Sequence, residues 1–259
     1  MSSVSASQVA SLRSRTGVSI LECKNALEEV SGDEEKAIEA LRKRGAASAT
    51  KKAERDQSEG SIFLCEENEK AALIFLRCET DFVSSNKDFI ALGNELATLL
   101  CKEGEDALRK IAKEKTQEAV QKLGENISLG ETSLIEGGVV GSYLHSNSRI
   151  GVIVSLSSGT TEVAKDVAMH AAAMNPEFIK PEDVTKESVD VERNIWTEQL
   201  SKEGKPAEIM DKIMLGKEKK FREENALTSQ NFVKDPSITV KQHIGEADVS
   251  KYVRLSVSK

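Results

Sequence analysis

Chemistry on a substrate needs a side chain that attacks, moves a proton or holds a cation, and few residues here stand in a pattern that could. The three histidines, His145, His170 and His243, have no nucleophile beside them in sequence. His170 falls towards the apolar side of a helical pattern, where a histidine is structural, while His145 follows a strand-like run, where it could be a surface contact. Cys23, Cys65, Cys78 and Cys101 include no Cys-x-x-Cys pair and no spacing suited to zinc or a disulfide framework. They read as reduced thiols, three of them within apolar patterns. Gly137-Gly138-Val139-Val140-Gly141 is a candidate phosphate loop, but it lacks both a strand-to-helix setting and a following Lys-Ser/Thr. It reads instead as turn and strand glycines. With no nucleophile elbow and no His-Glu-x-x-His, the expectation is a protein that works by binding, with no catalytic residue, metal or cofactor.

One stretch has the residue types for binding. In Arg77-Cys78-Glu79-Thr80-Asp81-Phe82-Val83-Ser84-Ser85-Asn86-Lys87-Asp88-Phe89 an apolar strand stops, a short polar turn follows, and a helix begins. Phe82 lies on neither the strand face behind it nor the helix face ahead. Aromatics make up only 4% of the chain, so a ring out of pattern stands out. Two readings are open: the ring plugs its own core, or a loop held by rigid elements offers it to a partner.

The elements that must hold this turn follow from periodicity and punctuation. Residues 7–44 carry three short helical patterns. The first contains Val9 and Leu12 and ends near Gly17; the second is capped by Ser19, with Ile20, Cys23, Leu27 and Val30 at helical spacing. The third is capped by Asp33, has acids first and bases last, and is expected to close at Gly45. Residues 45–60 read as an Ala-, Ser- and Lys-rich linker, helical in part. Arg42-Lys43-Arg44 and Lys51-Lys52 read as a solvated helix end rather than a basic patch. Two strands follow, at 61–66 and 71–79, the second apolar on both faces and hence central in its sheet. Ser85 with Asp88 is expected to start a helix with Phe89, Leu92, Leu96, Leu99 and Leu100 on its buried face. Another helix runs through Leu108, Ile111, Ala112, Ala119 and Leu123 to Gly124.

Strands at 127–135, 139–144 and 150–156 precede a helix carrying Val163, Val167, Ala171 and Met174, ended by Asn175-Pro176. Two charged helices around a Gly204-Lys205-Pro206 turn then describe an antiparallel hairpin, with Trp196 packing inside it. Residues 235–240 look like a short connection, and 252–257 like a last strand returning to the sheet. The fold class is therefore α+β. Its expected parts are a three-helix domain and linker (1–54), a first core lobe carrying the turn (55–136), a second lobe (137–182 and 226–259) and a protruding helical hairpin (183–225).

At 259 residues the chain can hold roughly two domains. Its net charge of −7 argues against a main role in neutralising phosphate backbones, so no direct nucleic-acid partner is expected. No apolar run approaches the ~18 residues of a membrane span, so no membrane partner is expected either. No targeting segment is visible at the amino terminus, although a presequence already removed would leave no trace.

Several separate motifs resemble one family. Arg13-Ser-Arg-Thr-Gly17, Cys23-Lys-Asn-Ala-Leu27 and Ser31-Gly-Asp33 come first, followed by Cys78-Glu-Thr-Asp-Phe-Val83. Gly141-Ser-Tyr-Leu-His145 with Arg149-Ile-Gly151, and Pro176-Glu-Phe-Ile-Lys-Pro-Glu-Asp183, complete the set. In this order, over about residues 7–257, they are similar to translation elongation factor Ts. The resemblance implies a nucleotide exchange factor for the GTPase elongation factor Tu rather than an enzyme. It also implies an amino-terminal domain like a ubiquitin-associated fold, a two-lobed core and a coiled-coil hairpin used for dimerisation in some members.

By position, the resemblance makes Phe82 the wedge pushed between two helices of the GTPase domain, disturbing its magnesium and phosphate site, with Asp81 assisting inside the Thr80-Asp81-Phe82-Val83 turn. It places further partner contacts at Arg13, Ile20 and Leu21 and at His145. The place of action it implies is a bacterial cytoplasm, or a mitochondrial matrix after transit-peptide removal. Some members continue into a carboxy-terminal module whereas this sequence stops at Lys259, which leaves the contacts of such a module open. The rival readings are an adaptor binding a ubiquitin-like partner through the three-helix unit, which leaves the turn unexplained, and an enzyme with a scattered site.

Overall fold

The computed structural model describes residues 4–202 and 207–257, the side chains of 207–209 excepted. Three helices open the chain: α1 (Ala6–Thr16), α2 (Ile20–Glu29) and α3 (Glu34–Lys52). Ser5 caps α1 in a capping box with Gln8, and Gly17, at φ 69°, ends it in the left-handed region that glycine adopts without strain. Ser19 and Asp33 cap the next two helices as expected. Val9, Leu12, Cys23, Ala26, Leu27, Ala37 and Leu41 form their common core.

Gly45 does not stop α3. The helix runs on to Lys52, because Gly45 is buried against the Gln121 side chain, which a Cβ there would meet at 2.6 Å. A mid-helix glycine costs about 1 kcal/mol of propensity, and here it lets two helices approach closely. The first half of the expected linker is thus helix. The neighbouring cations are ion-paired: Arg42 with Glu114 and Glu118, Lys43 with Glu39, and Arg44 with Glu29.

Strands β1 (Glu59–Glu67) and β2 (Lys70–Cys78) form a hairpin, and β3 (Ser128–Glu136) pairs antiparallel with the other edge of β2. Between β2 and β3 lie α4 (Asp81–Ser84), α5 (Lys87–Glu103) and α6 (Glu105–Leu123). The central strand is apolar on both faces for a visible reason. Ala72, Ile74, Leu76 and Cys78 pack under Phe89, Leu92, Leu96 and Leu100 of α5. Ala71, Leu73 and Phe75 face the second sheet, meeting Ile153 and Leu255.

That second sheet orders β4 (Val139–Leu144), β5 (Ile150–Leu156) and β8 (Val249–Ser256), all antiparallel, and is covered outside by α7 (Thr161–Met174). The result is helices, two sheets and a helix in stacked layers, an α+β fold. The glycines of 137–141 shape this packing. Gly137 and Gly138 turn the chain at φ 81° and 74°, and a Cβ on Gly141 would strike the α7 backbone at 2.3 Å.

Helices α8 (Lys186–Lys202) and α9 (Ala207–Asn225) pair as the hairpin, and Trp196 lies buried edge-on to Phe221, ring centroids 5.9 Å apart. The expected Gly204-Lys205-Pro206 turn lies outside the described residues. The segment read as a short connection is more ordered than expected: β6 (Asn231–Phe232) and β7 (Asp235–Thr239) make a small ribbon, and α10 (Val240–Ile244) follows. Burial of Phe232, Val240 and Ile244 against α7 drives this.

Candidate functional site

The turn after β2 is a single helical turn. Thr80 caps α4, its hydroxyl accepting from the Val83 N–H at 3.4 Å, and the N–H of Ser84 and Ser85 close it onto the carbonyls of Thr80 and Asp81. One turn of helix has one inward direction. Val83 takes it and joins the core of α5, so Phe82, a step of about 100° away around the axis, points out and is 84% exposed. The ring does not plug its own core. Leaving it in water forgoes roughly 1.5–3 kcal/mol of burial. Ser85 ends α4, and it is Asn86, accepting from the Asp88 N–H at 2.9 Å, that caps α5. The helix expected to start at Ser85 is displaced by this extra turn.

A polar clamp fixes the turn from behind. Glu125 Oε2 accepts the N–H groups of Glu79 and Thr80, both at 3.0 Å, and Glu125 Oε1 accepts the Thr80 hydroxyl at 2.6 Å. In return Glu79 Oε1 accepts the Asn126 N–H at 2.6 Å. Sequence reasoning passes over Glu125 and Asn126, which sit 45 or more positions away and carry no local signal beyond the helix stop at Gly124. Burial pushes the Cys78 thiol beside the turn up to about 12, and its Sγ lies 3.1 Å from the Thr80 carbonyl, as donor. It is a packed thiol, not a nucleophile. Burial likewise raises Cys101 to about 11.

Asp81, Ser84, Ser85 and Ile90 share a groove of about 390 Å³ with Ser146, Asn147, Ser148 and Arg149. The latter belong to the turn between β4 and β5, which His145 opens: its carbonyl accepts from Ser148 N and its N–H donates to the Ile150 carbonyl. His145 is exposed, with Nδ1 3.1 Å from the Tyr143 hydroxyl. Fold thus brings the Thr80–Val83 turn and the His145 turn to one groove, although they are far apart in sequence.

Ile20 and Leu21 occupy the first turn of α2 and are 58% and 66% exposed. Ile20 shares the helical spacing of Cys23 and Leu27, but Cys23, Ala26 and Leu27 fill the buried stripe of α2 and leave it outside. With exposed Arg13, and with Val9, Ala10 and Lys24, Ile20 lines an apolar cleft of about 710 Å³ with two cations at its rim. The structure therefore groups Arg13 with Ile20 in one cleft and Asp81 with the His145 turn in another.

The remaining histidines are structural. His170 is buried, its Nδ1 accepting from the Val233 N–H at 3.1 Å and its Nε2 3.0 Å from Gln230 Oε1. Burial lowers its pKa, so it is neutral with the proton on Nε2. His243 stacks on Phe232 at 4.0 Å. Among the described residues no group of three or more His, Cys, Asp or Glu could hold a metal, and no helix is long and apolar enough to cross a membrane.

A family model described as Elongation factor TS matches residues 79–259. The chain is 44% identical over 272 residues to the Elongation factor Ts of Aeromonas hydrophila subsp. hydrophila, an alignment covering 100% of this chain and 92% of that one. It is 46% identical over 246 residues to that of Teredinibacter turnerae, covering 92% and 84%. With that of Hahella chejuensis the figure is 42% over 253 residues, covering 95% and 88%.

Proposed function

The chain belongs to the elongation factor Ts family of translation elongation factors, and from that premise we propose that it binds the GTPase elongation factor Tu and promotes release of its GDP. It makes and breaks no bond, and the magnesium whose site it disturbs belongs to the partner. The exposed Phe82 ring on a clamped turn is the observation that supports this reading most directly. A large apolar side chain held out in water by rigid structure is paid for only when a partner buries it.

The thermodynamic requirement is simple. The factor must bind nucleotide-free partner more tightly than nucleotide-bound partner, and GDP then weakens factor binding by the same ratio. A thousandfold effect needs about 4 kcal/mol of differential binding. Burying one Phe supplies roughly 1.5–3 kcal/mol, so Phe82 alone falls short. Ile20, Leu21 and Arg13 on the amino-terminal helices, and His145 with Asp81 at the groove, supply the remaining contact. The bacterial origin of the relatives supports action in a bacterial-type cytoplasm. An adaptor for a ubiquitin-like protein would leave Phe82 without a role.

Stopped-flow release of a fluorescent GDP from elongation factor Tu tests the reading. Phe82→Ala is expected to slow catalysed release at saturating factor about ten- to a hundredfold, the equivalent of its lost burial. An unchanged rate with unchanged complex affinity would sink the wedge.

A further inference from the structure

We propose that Glu125 is a positioning residue for exchange, fixing the direction in which the Phe82 ring leaves the surface; the inference rests on the exchange reading above. Three chain segments meet at the corner it occupies: the junction after β2, the junction after α6, and the chain leaving α3. Glu125 holds the first, through the N–H groups of Glu79 and Thr80 and the Thr80 hydroxyl. The Thr80 N–H belongs to the residue that caps α4, so the carboxylate acts on the cap from which the ring-bearing turn is built.

The second and third segments supply the reference frame. Asn126 is buried and sends its side-chain amide to the carbonyls of Ala53 at 3.4 Å and Arg55 at 3.0 Å. Lys52, the last residue of α3, donates to the Gly124 carbonyl at 2.7 Å. Arg55 also pairs with Glu79 at 3.4 Å. The end of α3, which shares a core with the α2 helix bearing Ile20 and Leu21, is therefore tied to the same corner that holds the ring. Docking through α2 and insertion of Phe82 must be met by one partner at once, and a ring free to swing would have to be ordered on binding. Glu125 does that ordering in advance.

A positioning role predicts a rate effect without a docking effect. Glu125→Ala should lower the maximal rate of catalysed GDP release about tenfold, while the factor concentration giving half the maximal rate stays within about threefold. Glu125→Gln is isosteric: its carbonyl can accept the two N–H groups and its amide can donate to Thr80 Oγ1. It should recover the rate to within about threefold of the unmodified chain. Amide hydrogen exchange at 79–84 should speed in the alanine variant and not in the glutamine variant. If Glu125→Ala proves unfolded by circular dichroism, Glu125→Asp, whose shorter arm cannot span both contacts, carries the same expectation.

The inference is overturned if the folded Ala or Asp variant releases GDP at the unmodified maximal rate while Phe82→Ala is slow, which leaves the exchange reading standing. It is also overturned if Glu125→Gln is as slow as Glu125→Ala, since charge rather than geometry would then be the cause. If Phe82→Ala itself releases GDP normally, the exchange reading falls and takes this inference with it.

Discussion

Trp196 on α8 and Phe82 on α4 are both bulky rings in polar helical surroundings, yet the first is 8% exposed and the second 84%. The difference lies in what each element can pack against. The hairpin gives Trp196 a second helix, whose Phe221 meets it edge-on at 5.9 Å, and Lys217 lies over its face. Helix α4 is one turn long and gives its inward direction to Val83; no neighbour covers the next position. Burial makes a ring part of the fold's stability, whereas a rigid support behind an uncovered ring makes it available to a partner. The two rings should therefore fail in opposite ways when removed.

The largest effect separates them most sharply. Trp196→Ala should cost about 3 kcal/mol of unfolding free energy, the low end for a buried large aromatic because a hairpin has only one packed side, as measured by urea denaturation. It should leave the maximal GDP-release rate of the folded protein unchanged. Phe82→Ala should do the reverse, with a stability change within about 0.5 kcal/mol, as for an exposed surface side chain. If instead the tryptophan variant lost exchange with its stability intact, the comparison would be broken.

A smaller effect sharpens the picture at the other surface. Ile20→Asp with Leu21→Asp places charge on two exposed apolar residues and should raise the half-saturating factor concentration about tenfold or more, leaving the thermal midpoint and the maximal rate in place. Unaltered affinity would remove these residues from the interface.

The smallest effect concerns the buried polar pair beside α7. His170 is held neutral, its pKa lowered by burial, so the unfolded chain binds a proton more readily than the folded one. Its contribution to stability is present above the unfolded value near 6.5 and is lost as pH falls below it. His170→Gln should flatten that part of the urea-derived stability profile. A profile between pH 5 and 7 identical to that of the unmodified chain would contradict the assignment.

Much of this was legible from local sequence, for identifiable reasons. Ser19, Asp33, Gly17, Gly124 and Asn175 punctuate helices through their own backbone or side-chain geometry, and they do so here. The two-faced strand Lys70–Cys78 had no polar face to offer solvent, and it has none. What escaped depends on partners distant in the chain. Gly45 reads as a stop until Gln121 of α6 is placed against it. The turn at Asp81–Ser84 is too short to show a helical period, so it read as a loop and Ser85 read as a cap. Ile20 follows the spacing of its helix, but the core beneath that helix is narrow and closes over Cys23 and Leu27 instead. The Glu125 clamp joins residues 45 and more positions apart, and no periodicity or spacing marks it.

The central claim is that the uncovered ring is the part of the molecule that couples factor binding to loss of GDP. The direct measurement is the dissociation constant of GDP from elongation factor Tu with and without saturating factor, for the unmodified chain and for Phe82→Ala. The account predicts that the ratio of the two constants shrinks about ten- to a hundredfold in the variant, while its affinity for the GDP-bound partner is unchanged. An equal ratio for both proteins would contradict it.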